Sequence, residues 1–560
     1  ADSSGNGNNW TPSGISVTAG VTNDSLTDTP TNYGTDTGAG GEVRGNYCTI
    51  NAISQYTTPS LLSGGNLTLS GSNPSHRTNW LPSTGKFYFE VDCTTVGSGG
   101  YLVGGAQSLY RVDGSRWTGA AWVAYGASYT SGDRIGCEID LTNNTVEWFK
   151  NQTSQGLITS AGLARNGVDD WTGGDLTGTW TAHWNFGQRP YARTANSGFK
   201  ALCTQNLPDP AINKASQYFD AKLRSGTGAA YSVTGIGFQP DLVWIKARDA
   251  AYSHNIADTV NGAGYAQFSD QAIAQVSNHD ITAFNSDGYS ANQTVNYELS
   301  NGTPRNYIDW MWRGGGNANT FNLNGTGYAS MAAAGLTDGS QAATGISVNT
   351  TCGMSVVNFS AAASGTGTIG HGLGVAPRLI IAKAKSSAYQ WYIQHASQGP
   401  TKYGLFSTAA FAAATAVWND TAPTSTVFSH GTGWNGYGTT VAYCFAEIAG
   451  FSKFGSYTGN GSANGPFVWC GFRPRWIMVK RTNTASSWFQ IDTARDTYNR
   501  AQNYLKVDVA DAEGVFGLVD LVSNGFKWRE DGSASGMNVS ASTYIFAAFA
   551  EHPFRTARAR

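Results

Sequence analysis

The sequence predicts an all-β chain built from several sandwiches, and three observations carry that expectation. First, 70 of the 560 residues are Gly, and only 13% are charged. With 25 Phe, 26 Tyr and 18 Trp, this suits many short strands joined by tight Gly/Asn/Ser/Thr turns, and it excludes a disordered chain, which would lack aromatics. Second, apolar and polar residues alternate over strand-length runs such as Gly85-Lys86-Phe87-Tyr88-Phe89-Glu90-Val91-Asp92-Cys93. Third, one phrase occurs three times in the C-terminal part. Gly237, Gly374 and Gly471 each precede a Pro by three, and Lys246, Lys383 and Lys480 each follow that Pro by six. Between them lie Leu242-Val243-Trp244-Ile245, Leu379-Ile380-Ile381-Ala382 and Trp476-Ile477-Met478-Val479. Gly permits a tight turn, Pro stiffens the approach, and the apolar run reads as a buried strand. The spacing therefore predicts three related β-sandwich units.

Taken in order, residues 1–60 are polar and rich in turn formers, and read as an extended N-terminal arm or linker. Asp24, Asp28 and Asp36 match no EF-hand spacing. The chain begins at Ala1 without a methionine, which reads as a processed product or part of a longer protein. Residues 61–200 alternate like a sandwich. Tyr101-Leu102-Val103 and Trp122-Val123-Ala124-Tyr125 are strand candidates, and Gly132 to Leu141 returns through an Asn143-Asn144 turn into Thr145 to Asn151 as a hairpin.

The strand Lys86–Val91, the Gly-Asp-x-Ile-Gly…Asp-Leu run at Gly132–Leu141, Phe149-Lys150-Asn151 and the closing Asn185-Phe186-Gly187 occur in an order and spacing that resemble a SPRY domain. The resemblance implies a SPRY-like bent two-sheet β-sandwich that presents loops for binding. It transfers no catalytic residue. Loop aromatics Tyr110, Trp117 and Trp171 are the candidates for ligand contact, weighed against the commoner fate of such residues in a core.

Residues 201–215 read as a linker because Pro208 and Pro210 resist helix and central strand alike. Repeat one is expected at 216–312, a Gly/Ala/Asn-rich insertion at 313–350 that forms a hinge or protruding loop, repeat two at 351–450 and repeat three at 451–560. Three further landmarks mark the copies. Asp258, His395 and Asp492 lie 12 residues after each Lys, Gly288-Tyr289, Gly433-Trp434 and Gly525-Phe526 follow, and strands led by Tyr307, Tyr443 and Tyr544 close the copies. The Gly-Phe-x-Pro phrase with its Lys-ended strand, and the late Ala548-Phe549-Ala550-Glu551-His552-Pro553-Phe554, resemble proteins encoded among tailed-phage structural genes. That resemblance implies a virion component, of the tail or its fibres, with no active site.

Little in the sequence points to chemistry. Gly365 to Gly370 spells GxGxxG, but His371-Gly372-Leu373-Gly374 follows where a dinucleotide site needs a helix. No CxxC, HExxH or GxSxG occurs, and the seven cysteines, widely scattered, are expected mostly as free thiols. A glycosidase would need a facing carboxylate pair; Asp169, Asp170 and Glu447 are candidates, and the recurrence of Asp258 and Asp492 favours structural roles for both. Lys246, Lys383 and Lys480 either line a binding face or cap strand ends. A net charge of −2 with no basic cluster argues against nucleic acid, and no apolar run is long enough to span a bilayer as a helix.

The functional expectation is a non-enzymatic bacteriophage virion protein without cofactor or metal: a tail fibre or tail appendage that binds a host-surface glycan or protein. Other virion proteins are its expected partners, and a homo-oligomer, a trimer by analogy with fibres, its expected assembly. The alternatives are a capsid decoration or purely structural protein, and a polysaccharide-depolymerising tailspike.

Overall fold

The structure is a computed structural model that describes residues 46–51, 61–72, 78–79, 82, 84–105, 107–163, 173–175, 178–207, 210–292 and 300–553. Strand makes up 45% and helix 4%, so the chain is all-β. It divides between residues 209 and 210 into two compact units.

The N-terminal unit is a two-sheet sandwich. Its larger sheet runs in the order Leu61–Ser63, Thr68–Ser72, Thr179–Asn185, Lys86–Thr95, Arg134–Asp140, Thr145–Lys150, Thr153–Thr159, with Lys200–Ala201 pairing parallel to Lys86–Thr95. The smaller sheet runs Gly173–Asp175, Gly100–Val103, Leu109–Arg111, Ser115–Trp117, Trp122–Ala124. The expected hairpin forms: Arg134–Asp140 pairs with Thr145–Lys150, and the Asp140 carboxylate accepts from the Thr142 and Asn143 amides of its turn. Phe89, Trp148 and Tyr110 interlock between the sheets, and the Trp148 indole N–H donates to Ser108 O at 3.0 Å.

The outer face of the larger sheet is covered as well. Glu90 and Glu138 are buried there because the segment after Phe186 folds over them. Glu90 accepts from the Ala192 and Arg193 amides, and Glu138 pairs with the Arg193 guanidinium at 2.7 Å. Two expectations change here. Of the 1–60 arm, residues 46–51 are docked rather than extended, with Cys48 and Ile50 fully buried. The 201–215 linker begins inside this unit, where Ala201, Leu202 and Cys203 are core residues.

The C-terminal unit repeats one sheet three times, each in the order first, closing, lysine, return. Repeat one has Phe219–Ser225, Asn306–Trp312, Leu242–Ala247, Asn255–Asp258; repeat two has Met354–Ser360, Thr439–Phe445, Leu379–Ala384, Tyr392–His395; repeat three has Ser452–Thr458, Thr543–Pro553, Phe472–Arg481, Trp488–Asp492. Gly288-Tyr289 lies on a separate three-stranded sheet in repeat one, and Gly525-Phe526 on a continuation of the main sheet in repeat three. In repeat two the small sheet is Gly367–Gly370 with Val427–His430, and Gly433-Trp434 lies outside it in the 3-10 turn Thr432–Trp434. The Gly-aromatic landmark therefore does not hold there, although Tyr289, Trp434 and Phe526 are all fully buried.

Pairing sets the equivalences. Leu242, Leu379 and Trp476 stand opposite Asp258, His395 and Asp492 on one side and Trp312, Phe445 and Phe549 on the other. Counting back five from these last residues aligns Tyr307 with Thr440 and Tyr544, whereas Tyr443 falls at the place of Trp310 and Ala547. The Tyr-led strands are therefore not in one register: the tyrosine of repeat two is an inward-facing residue, displaced by three.

The three sheets turn one face each toward a shared core. Trp312, Phe445 and Phe549 form a triangle with centroid separations of 6.4, 5.6 and 5.8 Å. Beside them lies a cavity of ≈ 20 Å³ lined only by apolar residues, a place water does not favour.

The 313–350 segment is neither hinge nor loop. Ala343–Asn349 pairs antiparallel with Met354–Ser360 and parallel with Phe321–Leu323, extending the sheet of repeat two. Its glycines reflect close packing: a Cβ at Gly315 would lie 2.3 Å from Val348 O. Asp241 fastens the segment, accepting from the Gly314 and Gly316 amides and the Ser347 hydroxyl, and burial pushes its carboxyl up to about 6.

Candidate functional site

The three sequence-predicted aromatics meet different fates. Tyr110 is a core residue with 0% exposure. Its hydroxyl donates to Ala127 O and its ring packs 5.2 Å from Tyr129, so it is not offered to a ligand. An inward position on a three-residue strand explains this, since a short strand of the inner layer shows no alternation to read. Trp171 lies outside the described residues. Trp117 is half-buried on Ser115–Trp117, next to the edge strand of the smaller sheet.

Trp117 has a companion that sequence reasoning left as a strand residue. Trp122 stands directly across the hairpin, and the two indoles lie 5.5 Å apart at 58°. Thr118 closes the turn through its amide and hydroxyl to Ala121 O. The Arg111 guanidinium lies 5.3 Å from the Trp122 ring, and Asp113 holds it at 3.5 Å. Arg111 Nε is buried with no protein partner. Arg116 donates to Gln107 O, and Val123 beside the pair is 38% exposed. Half-exposed indoles backed by a cation present apolar faces with polar atoms at their rim, an arrangement that takes up a sugar ring or a peptide side chain. A pair of Trp residues flanking a Thr-Gly-Ala-Ala turn was the sequence signal for it.

The repeated polar residues serve the fold. Position 12 after each Lys bonds the closing strand of the next repeat around the ring. Tyr443 donates to Asp258 at 2.8 Å and the Trp310 indole to Asp492 at 3.1 Å. In repeat three the corresponding residue is Ala547, which offers no donor, and His395 Nε2 instead donates to the neighbouring backbone carbonyl of Phe546 at 3.1 Å. His395 Nδ1 accepts from the Ser397 amide, so the ring is neutral, and burial lowers its pKa to about 4. Burial also raises the Asp258 carboxyl.

Position 8 after each Lys makes a second set of links, to the preceding repeat. The Trp391 and Trp488 indoles each donate to a carbonyl at 2.8 Å, Phe268 O and Leu405 O. In repeat one the residue is His254, and its Nε2 donates to Lys506 O at 2.7 Å while its Nδ1 accepts from Trp244.

The three lysines are buried and line no binding face. Lys246 donates to Ala247 O and Ala250 O, Lys383 to Tyr389 O, and Lys480 to Ser486 O and Thr408 O. Burial lowers each from 10.5 to about 8.

Among the catalytic candidates, Glu447 is taken up by Lys453 at 2.7 Å, Asp258 and Asp492 are buried at joints, and Asp169 and Asp170 lie outside the described residues. Gly367–Gly370 is a strand paired with Val427–His430, and no helix begins there. Cys93, Cys137, Cys352, Cys444 and Cys470 are buried free thiols, and burial pushes the Cys352 and Cys444 thiols up to about 12. No group of three metal-ligating side chains and no helix long and apolar enough to cross a membrane occurs among the described residues.

Comparison with known proteins gives three findings. A family model described as "Domain of unknown function (DUF7483)" matches residues 214–553, the whole three-repeat unit. The chain is similar to a human SPRY domain of known structure, with 24% identity over 23% of this chain and 88% of that one, at a TM-score of 0.15. It is similar also to the SPRY domain of human HERC1, with 14% identity over 25% of this chain and 92% of that one, at 0.17. No curated protein matches the chain.

Proposed function

We propose that this chain, which belongs to the DUF7483 family, is a non-enzymatic structural and binding protein of a bacteriophage tail appendage or tail fibre, and that it engages a host-surface glycan. The observation that carries the adhesion reading is the Trp117–Trp122 pair, held half-exposed on a tight hairpin beside Arg111. Indole faces stack on the C–H faces of sugar rings while the rim groups bond hydroxyls. The placement in a virion tail rests on the sequence likeness to tailed-phage structural proteins, and other virion proteins are the partners it implies. The C-terminal unit closes its three-way core within one chain, and a homo-oligomer, a trimer by analogy with fibres, is the assembly the likeness implies.

A map of the particle that carries this chain tests the reading. Density for the chain on the tail appendage supports it, and density on the capsid shell remote from the tail overturns it. A purely structural role is the second reading, favoured by the interlocked ring of buried polar contacts between repeats.

A further inference from the structure

We infer that repeat two carries a second saccharide platform, built on Tyr389, which takes the face of a neutral pyranose. The inference rests on the adhesion reading and extends it to the C-terminal unit.

The platform lies between the lysine strand Leu379–Ala384 and its return strand Tyr392–His395. Tyr389 is 39% exposed, and its ring lies flat on Tyr437 at 4.0 Å and 11°. Tyr437 is itself buried and stacks on Tyr392 at 5.5 Å and 17°, and on Trp434 at 5.8 Å and 23°. One face of Tyr389 is thus backed by a column of rings and the other is open. The loop that carries it is fastened at three points. Lys383 donates to Tyr389 O, the Tyr389 amide donates to Ser387 O, and Ser386 bridges Tyr437 O and the Thr439 amide. A ring held in place before binding loses little freedom on binding.

The surroundings select the ligand. Gln390, next to Tyr389 in the chain, is exposed, an uncharged group suited to hydroxyls. On the loop beneath, Asn435 Oδ1 is buried with no protein partner, next to Gly436, whose Cβ position lies 3.8 Å from the Tyr389 hydroxyl. The Lys383 ammonium is spent on Tyr389 O and offers no charge to a ligand. A single open ring is also far smaller than a protein interface. An aromatic face matches the C–H face of one pyranose, bound through dispersion and weak C–H contacts with hydroxyls bonded at the rim.

Saturation-transfer NMR on the full chain, with the methyl glycosides of glucose, galactose and mannose as probes, tests this. In a Trp117→Ala, Trp122→Ala background, ring C–H protons of at least one glycoside should still receive saturation. Adding Tyr389→Ala should weaken that binding about tenfold or abolish it, while Tyr389→Phe keeps it. Overlaying thermal melts of all variants show that the loss is local. Transfer that survives Tyr389→Ala overturns the inference, as does a wild-type chain that binds none of the probes. Transfer in the wild type that vanishes with the two tryptophans alone also overturns it, while leaving the N-terminal site standing. Transfer that is indifferent to the tryptophans but lost with Tyr389 supports the inference and removes the Trp117–Trp122 reading.

Discussion

The joint between repeats two and three is built differently from the other two joints of the ring. Where repeats one and three present a buried carboxylate, Asp258 and Asp492, the following closing strand supplies a donor, the Tyr443 hydroxyl or the Trp310 indole. Where the following strand has Ala547, the polar position is His395, which donates to a backbone carbonyl that is present whatever the side chain. The difference teaches that the polar residue at this position answers the neighbour's chemistry and not its own repeat's. A buried carboxylate without a donor costs several kcal/mol, and a neutral imidazole avoids that cost by supplying the proton itself. The aromatic links follow the same logic: His254 takes the place of a Trp and keeps a ring N–H on the neighbouring carbonyl.

Forcing one joint to resemble the others should have the largest effect. His395→Asp sets a buried carboxylate against the Phe546 carbonyl, and urea unfolding should show a loss of about 3–5 kcal/mol. Acid should act on the same joint. The folded pKa of His395, about 4, lies below its ordinary 6.5, so between these values the unfolded state binds the extra proton. Stability is therefore complete above pH 6.5 and falls as pH drops toward 4, by about 3 kcal/mol from this residue. His254, whose pKa burial also lowers, adds to the loss, and melts from pH 7 down to 4 read the sum.

Removing a donor at the joint between repeats one and two is a smaller change. Tyr443→Phe strips Asp258 of one partner but leaves the Asn261 amide and side chain on it, and should cost about 1–3 kcal/mol in urea. A double-mutant cycle with Asp258→Asn should show a coupling that the pair Tyr443 and His395 lacks. The lysines, common to all three copies, sharpen the contrast from the alkaline side. Their folded values near 8 lie below 10.5, so the unfolded state holds more protons in that window. Stability from this source rises as pH increases from 8 to 10.5, and Lys480→Met should flatten that limb in calorimetry. The smallest effect on stability belongs to the N-terminal hairpin. Trp122→Ala, half-exposed at a sheet edge, should cost about 1 kcal/mol or less while removing glycan binding at that site.

Much of the architecture was legible in spacing. The Gly…Pro…Lys phrase marked three strands that prove to be structurally equivalent, because a buried strand of fixed length between a turn and a pinned end leaves a fixed interval in the chain. Asp258, His395 and Asp492 were recognisable as equivalent, and as structural, for the same reason. The register of the closing strands was not legible. Tyr443 resembles Tyr307 and Tyr544 as a letter, yet pairing displaces it by three, since these strands are buried on both faces and largely apolar, so no alternation marks one face. The 313–350 segment misled for a related reason: glycine signals flexibility in isolation and close approach when a neighbouring backbone fills the space.

The site residues divide along the same line. The abundance of aromatics belongs to the sequence, in which Trp117 reads as a loop residue and Trp122 as a strand residue; the hairpin that joins them comes from the structure. That Tyr110 is buried, that Trp122 stands across from Trp117, and that Tyr389 is the open end of a stack running through Tyr437 to Tyr392 follow only from tertiary structure. The sequence by itself determined an all-β chain with three copies of one unit, because strand length, turn chemistry and repeat spacing are local properties. Tertiary structure decided that the copies close into a ring, which neighbour answers each buried polar group, and which aromatic faces remain open. Those depend on contacts between residues tens to hundreds of positions apart, and no local pattern records them.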